Sequence, residues 1–298
     1  MGETTQPTGP TAFFFEARRS YHAALLKGAL CTDAEGIPSI ADRASKSSIR
    51  IAQEIMTRVG SGSVASRLAG QMSGNEFEDV TWHFLTETFL KLKHLRPGRW
   101  EVLRVTARGR GALSAYEQYS HLADVKEAVS ILAKTHPRLA ASIGGDYTVS
   151  PDVVLIRHPE PDEVINADAS LVDESVARMT MLRQRNMLRP VLHASISCKW
   201  TLRSDRAQNA RTEALNLTRH RKGHLPHIVV ATGEPLPTRL ASLAMGTGDV
   251  DCVYHFALTE LVQSLNVLDM EDQKELLDSM VAGKRLKDIS DLPLDLAV

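Results

Sequence analysis

Cysteine is scarce in this chain of 298 residues. Cys31, Cys198 and Cys252 are odd in number and widely spaced, with neither a CxxC pair nor the Cys/His spacing of a zinc site, which argues against a disulfide framework or a structural zinc. Long apolar runs are also missing: none approaches the roughly 18 residues that a membrane span needs. The Thr/Gly/Pro-rich start lacks a basic n-region and an apolar h-region, so it reads as neither signal peptide nor anchor, and the expectation is a soluble, cytoplasmic protein. No Gly-rich loop follows a strand, which argues against a methyltransferase. No charge of one sign dominates. The formal charge of −1 excludes a globally basic coat protein and leaves room for a locally basic groove.

No low-complexity stretch divides the chain, and its 43% hydrophobic content can bury one large core. The expected organisation is a flexible tail over residues 1–12 and a single domain over 13–298. Periodicity predicts a helix over 13–28 and a loop over 32–48. A second helix is predicted from a capping box at Ser73-Gly74-Asn75-Glu76 to about Leu95, with Glu78 in its first turn. A strand is expected over 100–105, a helix over 112–133, and a short helix over 138–143 closed by Gly144-Gly145. Val153, Val154, Leu155 and Ile156 follow Pro151-Asp152 as a strand buried on both faces would. Residues 158–189 read as polar and peripheral. Over 193–200, Ala194, Ile196 and Cys198 alternate with Ser195, Ser197 and Lys199, a strand with Lys199 on its polar face. Ser204 is the expected cap of a helix to about Leu217, 227–232 a further buried strand, 254–281 helical, and the apolar tail over 292–296 a docking segment. Strand, helix, strand predicts an α/β fold around a central mixed sheet flanked by helices.

The chemistry lies in two adjacent pieces. Asp152 opens one strand and Lys199 ends another, so neighbouring strands could bring them to one site. A carboxylate that holds Mg²⁺ beside a lysine suits phosphodiester hydrolysis. The Cys198 carbonyl could be a further ligand; a Cys198 thiol nucleophile has no histidine placed beside it. One carboxylate is thin for such a site, and Ser197 stands where a second acid is expected. Glu78 and Glu213 are the candidates to supply it, although any single glutamate also fits a solvated surface. Four to seven positions past Lys199, Arg203, Asp205 and Arg206 would lie within roughly 13–25 Å of the metal. Arginine can bond O6 and N7 of guanine and aspartate N4 of cytosine, so the trio suits G·C pairs; a surface Asp–Arg pair is the plainer alternative. Residues 199–224 carry seven Lys/Arg against two acids, which fits phosphate binding or a solvated helix face.

Three segments carry a resemblance: His193-Ala-Ser-Ile-Ser-Cys-Lys-Trp-Thr-Leu-Arg-Ser-Asp-Arg-Ala-Gln-Asn-Ala-Arg211, Gly70-Gln-Met-Ser-Gly-Asn-Glu-Phe-Glu78, and the tail from Gly283 to Val298. They closely resemble the NgoMIV family of type II restriction endonucleases, from about residue 13 to the end. The resemblance implies a restriction-endonuclease-like PD-(D/E)xK core, a homotetramer built as a dimer of dimers on double-stranded DNA, and a cognate methyltransferase in the same system. It implies Mg²⁺-dependent cutting at sites containing CCGG, with 5′-CCGG overhangs. On the same footing Asp152 and the Cys198 carbonyl look like metal ligands and Lys199 like the catalytic lysine. Glu78 is similar to an additional active-site and metal-binding acid. Ser197 resembles the family's serine in place of the motif's acid, with Glu213 as the relocated acid. Arg203, Asp205 and Arg206 resemble major-groove readers of CCGG, Gln71 a minor-groove probe, and Asp42 and Arg239 readers of a flanking G·C pair, which would make the site GCCGGC. A catalytically silent DNA-binding protein and a structure-selective repair nuclease remain the alternatives on this fold.

Overall fold

The run Val153–Ile156 is buried at every position and has a paired strand on either side. The structure, a computed structural model, describes residues 11–60, 70–105, 113–143, 151–246 and 248–298. Residues 1–10 of the expected tail, and Gly144-Gly145, lie outside them. Helix α1 (Phe13–Lys27) forms as expected and buries Tyr21, His22 and Leu25. The expected loop stops short, because α2 (Lys46–Val59) begins inside it. Ser45 caps α2 by accepting from Ser48 N, and Ile51, Ala52, Ile55 and Met56 form its buried stripe.

Helix α3 (Gly70–Phe89) starts ahead of the expected capping box and passes at Phe89 into a 3-10 turn, Leu90–Leu92. Ser73 is therefore helical, and Glu78 lies in the third turn, out of reach of the positive end of the helix dipole. Strand β1 (Arg99–Arg104) follows. The helix expected from 112 resolves into two 3-10 turns, Leu113–Ala115 and Glu117–Tyr119, before α4 (Leu122–Thr135) and α5 (Pro137–Ile143). Then come β2 (Val153–His158), α6 (Asp162–Ile165), β3 (Val191–Lys199), α7 (Ser204–His220), β4 (His227–Thr232) and α8 (Pro237–Ala244). The stretch expected to be helical from 254 begins instead as β5 (Cys252–His255), followed by α9 (Leu258–Val267) and α10 (Glu271–Ala282). Strand β6 (Leu286–Asp288) and α11 (Leu292–Asp295) close the chain.

Among the described residues, six strands form one mixed sheet in chain order: β1, β2 and β3 antiparallel, then β4, β5 and β6 parallel to β3. The α/β expectation holds. Burying each Val, Leu or Ile side chain in β2 contributes roughly 1.5–3 kcal/mol. Ser195 and Ser197 keep to the opposite face from Ala194 and Ile196 but are buried too, because α7 covers that side. Residues 158–189 are peripheral yet not simply polar. Arg183 is only 1% exposed and reaches Asp162 and the carbonyls of Asp173 and Val176, an ionic clasp that no sequence period announces. The tail docks as expected: Leu292 and Leu296 are buried, and the Leu296 carbonyl lies 2.8 Å from His193 Nε2. No helix among the described residues is long and apolar enough to cross a membrane.

Candidate active site

Strand β2 begins at Val153, which pairs with Ile196, so Asp152 lies just before the strand and beside the last residues of β3. Its Oδ2 accepts from Cys198 N at 2.7 Å and from Lys199 Nζ at 3.0 Å. A strand residue projects its N–H and C=O to the same side, so the Cys198 carbonyl faces this end as well. The Cys198 thiol is buried in the core, and burial pushes its pKa well up, which makes it inert as a nucleophile.

Alternation along β3 sends neighbouring side chains to different helices. Cys198 turns to Thr81 on α3, whereas Ser197 and Lys199 turn to Glu213 on α7. Ser197 Oγ donates to Glu213 Oε2 at 2.9 Å, and Lys199 Nζ lies 3.7 Å from Glu213 Oε1. Burial opposes the Lys199 charge, but Asp152 and Glu213 outweigh it and raise the lysine's pKa. Glu213 also moves up: burial and the charge of Asp152 prevail over the pull of Lys199 and Ser197. Glu78 enters from α3 with Arg104 at 3.5 Å, and burial followed by the charge of Asp152 raises its pKa as well. Lys199 is thus shared between Asp152 and Glu213, while Arg104 faces Glu78.

Glu78, Lys199, Glu213, Arg206 and Asn209 line an open cleft of about 280 Å³ at this end of the sheet. Arg104 and Asn209 were not evident as site residues from the sequence. Asn209 stands four residues before Glu213 on one face of α7, a spacing that could have revealed it, whereas Arg104 meets Glu78 only through the packing of β1 on α3.

The segment that carries Arg203, Asp205 and Arg206 begins directly beyond. Trp200 packs on Phe77, with ring centroids 4.9 Å apart, and a Cβ on Gly233 would meet the Trp200 ring at 2.8 Å and its carbonyl at 2.9 Å. Glycine at 233 is what permits that approach. Ser204 does not cap α7: it is already helical, and Arg203 occupies the N-cap position without a side-chain cap bond. Arg203 and Asp205 are exposed, and Arg206 NH1 donates to Thr201 Oγ1 at 2.9 Å. Across a second cavity, also of about 280 Å³, Arg239 in the first turn of α8 is ion-paired with Asp42. Trp200 and Arg206 line both cavities, so the two share a wall. The structure therefore gathers Asp152, Cys198, Lys199, Ser197, Glu213 and Glu78 at one place and Arg203, Arg206, Asp42 and Arg239 at the next. Gln71 falls in the first turn of α3, but its side chain lies outside the described residues.

Two comparisons bear on this arrangement. The family model described as NgoMIV restriction enzyme matches residues 21–298. The type II restriction enzyme NgoMIV of Neisseria gonorrhoeae is 52% identical over 286 residues, covering 96% of this chain and 99% of that protein. A match of that length takes in the cleft, both sheet strands that build it and the segment from Arg203 to Arg206, and on it the chain belongs to the NgoMIV family of type II restriction enzymes, which are site-specific deoxyribonucleases.

Proposed function

We propose that this enzyme cuts both strands of GCCGGC after the first G in a Mg²⁺-dependent reaction, leaving 5′-CCGG overhangs. The observation that carries the reading is the contact of Asp152 Oδ2 with both Cys198 N and Lys199 Nζ, two residues that line the cleft. A silent DNA-binding protein would have no need of that pair. Among the described residues, no three acidic, His or Cys side chains converge as a ready-made metal cage. The donors that do meet are carboxylate and carbonyl oxygens, which suits a hard divalent cation that keeps several waters. Asp152, the Cys198 carbonyl and Glu78 would hold it, and when bound it supplies water activation and charge neutralisation at phosphorus.

The chain's own residues do the rest. Lys199, kept charged by Asp152 and Glu213, donates to the scissile phosphate and stabilises the extra charge of the pentavalent state. Glu213, held by Ser197, supplies the acid that β3 itself lacks. Arg203, Asp205 and Arg206 read the CCGG core from the major groove, Gln71 probes the minor groove, and Asp42 with Arg239 reads the outer G·C pair.

A palindrome calls for two-fold symmetry, each subunit cutting one strand, and a homotetramer would bind two duplexes at once. A cytoplasmic enzyme of this kind requires a cognate methyltransferase to protect host sites. The test is digestion of a long DNA of known sequence with purified protein and Mg²⁺, followed by sequencing of the ends. Ends only within GCCGGC support the full assignment. Ends at other CCGG sites as well would discard Asp42 and Arg239 as readers, and tight binding without cleavage would favour the silent alternative.

A further inference from the structure

Glu234 lies in the turn after β4, outside the catalytic cleft, and its side chain is fully buried. An ionisable group in such a place is costly unless its oxygens are taken up. Both are. Oε2 accepts from Leu202 N at 2.8 Å and Oε1 from Leu236 N at 3.1 Å. Arg239 NH1 stands 3.7 Å from Oε2, while its NH2 pairs with Asp42. Burial still pushes the Glu234 carboxyl up to about 7, so the amide bonds and Arg239 offset its desolvation only in part.

Its partners give the position a meaning. Leu202 directly precedes Arg203, and Leu236 directly precedes α8, which carries Arg239. The backbone N of Glu234 donates to Thr232 Oγ1 at 3.2 Å, and that hydroxyl donates to the Lys199 carbonyl at 2.6 Å. One residue thus touches the start of the Arg203 segment and the start of the Arg239 helix, and is linked to the end of the catalytic strand.

We infer that Glu234 is a positioning residue for sequence readout: its carboxylate holds the Arg203 segment and the Arg239 helix as one unit, so that inner and outer base pairs are read in a common register. This rests on the assignment of Arg203 and Arg239 as base readers. A glutamine there fills the same space but offers one acceptor oxygen for two amides and no charge to Arg239.

The experiment is a binding series in Ca²⁺ for the wild type, Glu234→Gln, Arg239→Ala and the double variant. Three duplexes are used: GCCGGC, ACCGGT with only the outer pair changed, and GCATGC with the core changed. Glu234→Gln is expected to lower both discrimination ratios, each on the order of tenfold. Arg239→Ala should lower only the outer ratio, and adding Glu234→Gln to it should lower the core ratio while changing the outer one little further. Both ratios unchanged in Glu234→Gln, with only a lower Tm, would make the residue a structural filler and overturn the inference, as would loss of the outer ratio alone. An outer ratio unchanged in Arg239→Ala instead sinks the reader assignment, and the inference with it. If Glu234→Gln does not fold, Glu234→Asp keeps the charge but draws the oxygens away from Leu202 and Leu236. It must also lower both ratios, and unchanged ratios in folded Glu234→Asp overturn the coupling.

Discussion

The Ser197 hydroxyl donates a 2.9 Å hydrogen bond to Glu213 Oε2, joining β3 to the helix that follows it. An acid absent from the strand is thereby delivered from α7, and a serine that looks like a defect in the motif becomes its support. A hydrogen bond to a charged group contributes about 1.5–3 kcal/mol. Ser197→Ala should therefore slow single-turnover cleavage by about 10- to 100-fold with Ca²⁺-dependent binding intact, and Glu213→Gln should slow it more. Equal rates for Ser197→Ala and wild type would detach the serine from the chemistry.

Lys199→Ala removes the cation between Asp152 and Glu213. Cleavage should fall by at least about 10²- to 10³-fold, the scale for losing one donor to transition-state charge. Specific binding measured in Ca²⁺ should persist, and its loss would assign the lysine a structural role instead.

Arg203→Ala should relax the choice of site before it weakens affinity for DNA in general. The expected loss of discrimination is about 1–3 kcal/mol at the base pair concerned. Sequencing of digestion ends reads this directly, and an unchanged pattern of ends would move readout to other residues.

The Arg18 cluster sets an acid limit on stability. Arg18 bonds Asp288 at 2.8 Å and Glu260 at 2.5 Å, tying α1 to β6 and α9. Burial raises both carboxyl pKa values, but the guanidinium overcomes it and holds each below the ordinary range. With folded values below the unfolded ones of about 4, this contribution is complete above that pH and is lost as pH falls through the folded values. Arg18→Ala leaves two partly buried carboxylates without their cation and should cost roughly 3–5 kcal/mol at neutral pH. Its deficit relative to the wild type should then narrow, not widen, as pH drops from 7 toward 5. Urea unfolding of both proteins across that range checks the sign.

Gly233→Ala forces a methyl group against the Trp200 ring and carbonyl. A destabilisation of roughly 1–3 kcal/mol is expected from the overpacking, with a lower cleavage rate because Lys199 sits next to Trp200. A Tm equal to that of the wild type would show that the turn can open at no cost.

Much of this protein was legible in its sequence, because the signals involved are local. The apolar run after Asp152 and the alternation from Ala194 to Lys199 predict two buried strands, and period alone puts Lys199 and Ser197 on one face. Residue chemistry near Arg203, with the resemblance, points to G·C recognition beside a phosphodiesterase site. Local signals failed where contacts from distant segments set the outcome. The Ser73 capping box is overridden by an earlier start of α3, and β5 forms within a stretch of mixed polarity because β4 and β6 pair with it on either side. Only the tertiary structure placed Glu213 on Ser197, Arg104 on Glu78 and the Glu234 carboxylate between Leu202 and Leu236. Each of those contacts joins elements whose mutual position depends on sheet order and helix packing, and neither quantity is written in the spacing of residues along one strand or one helix.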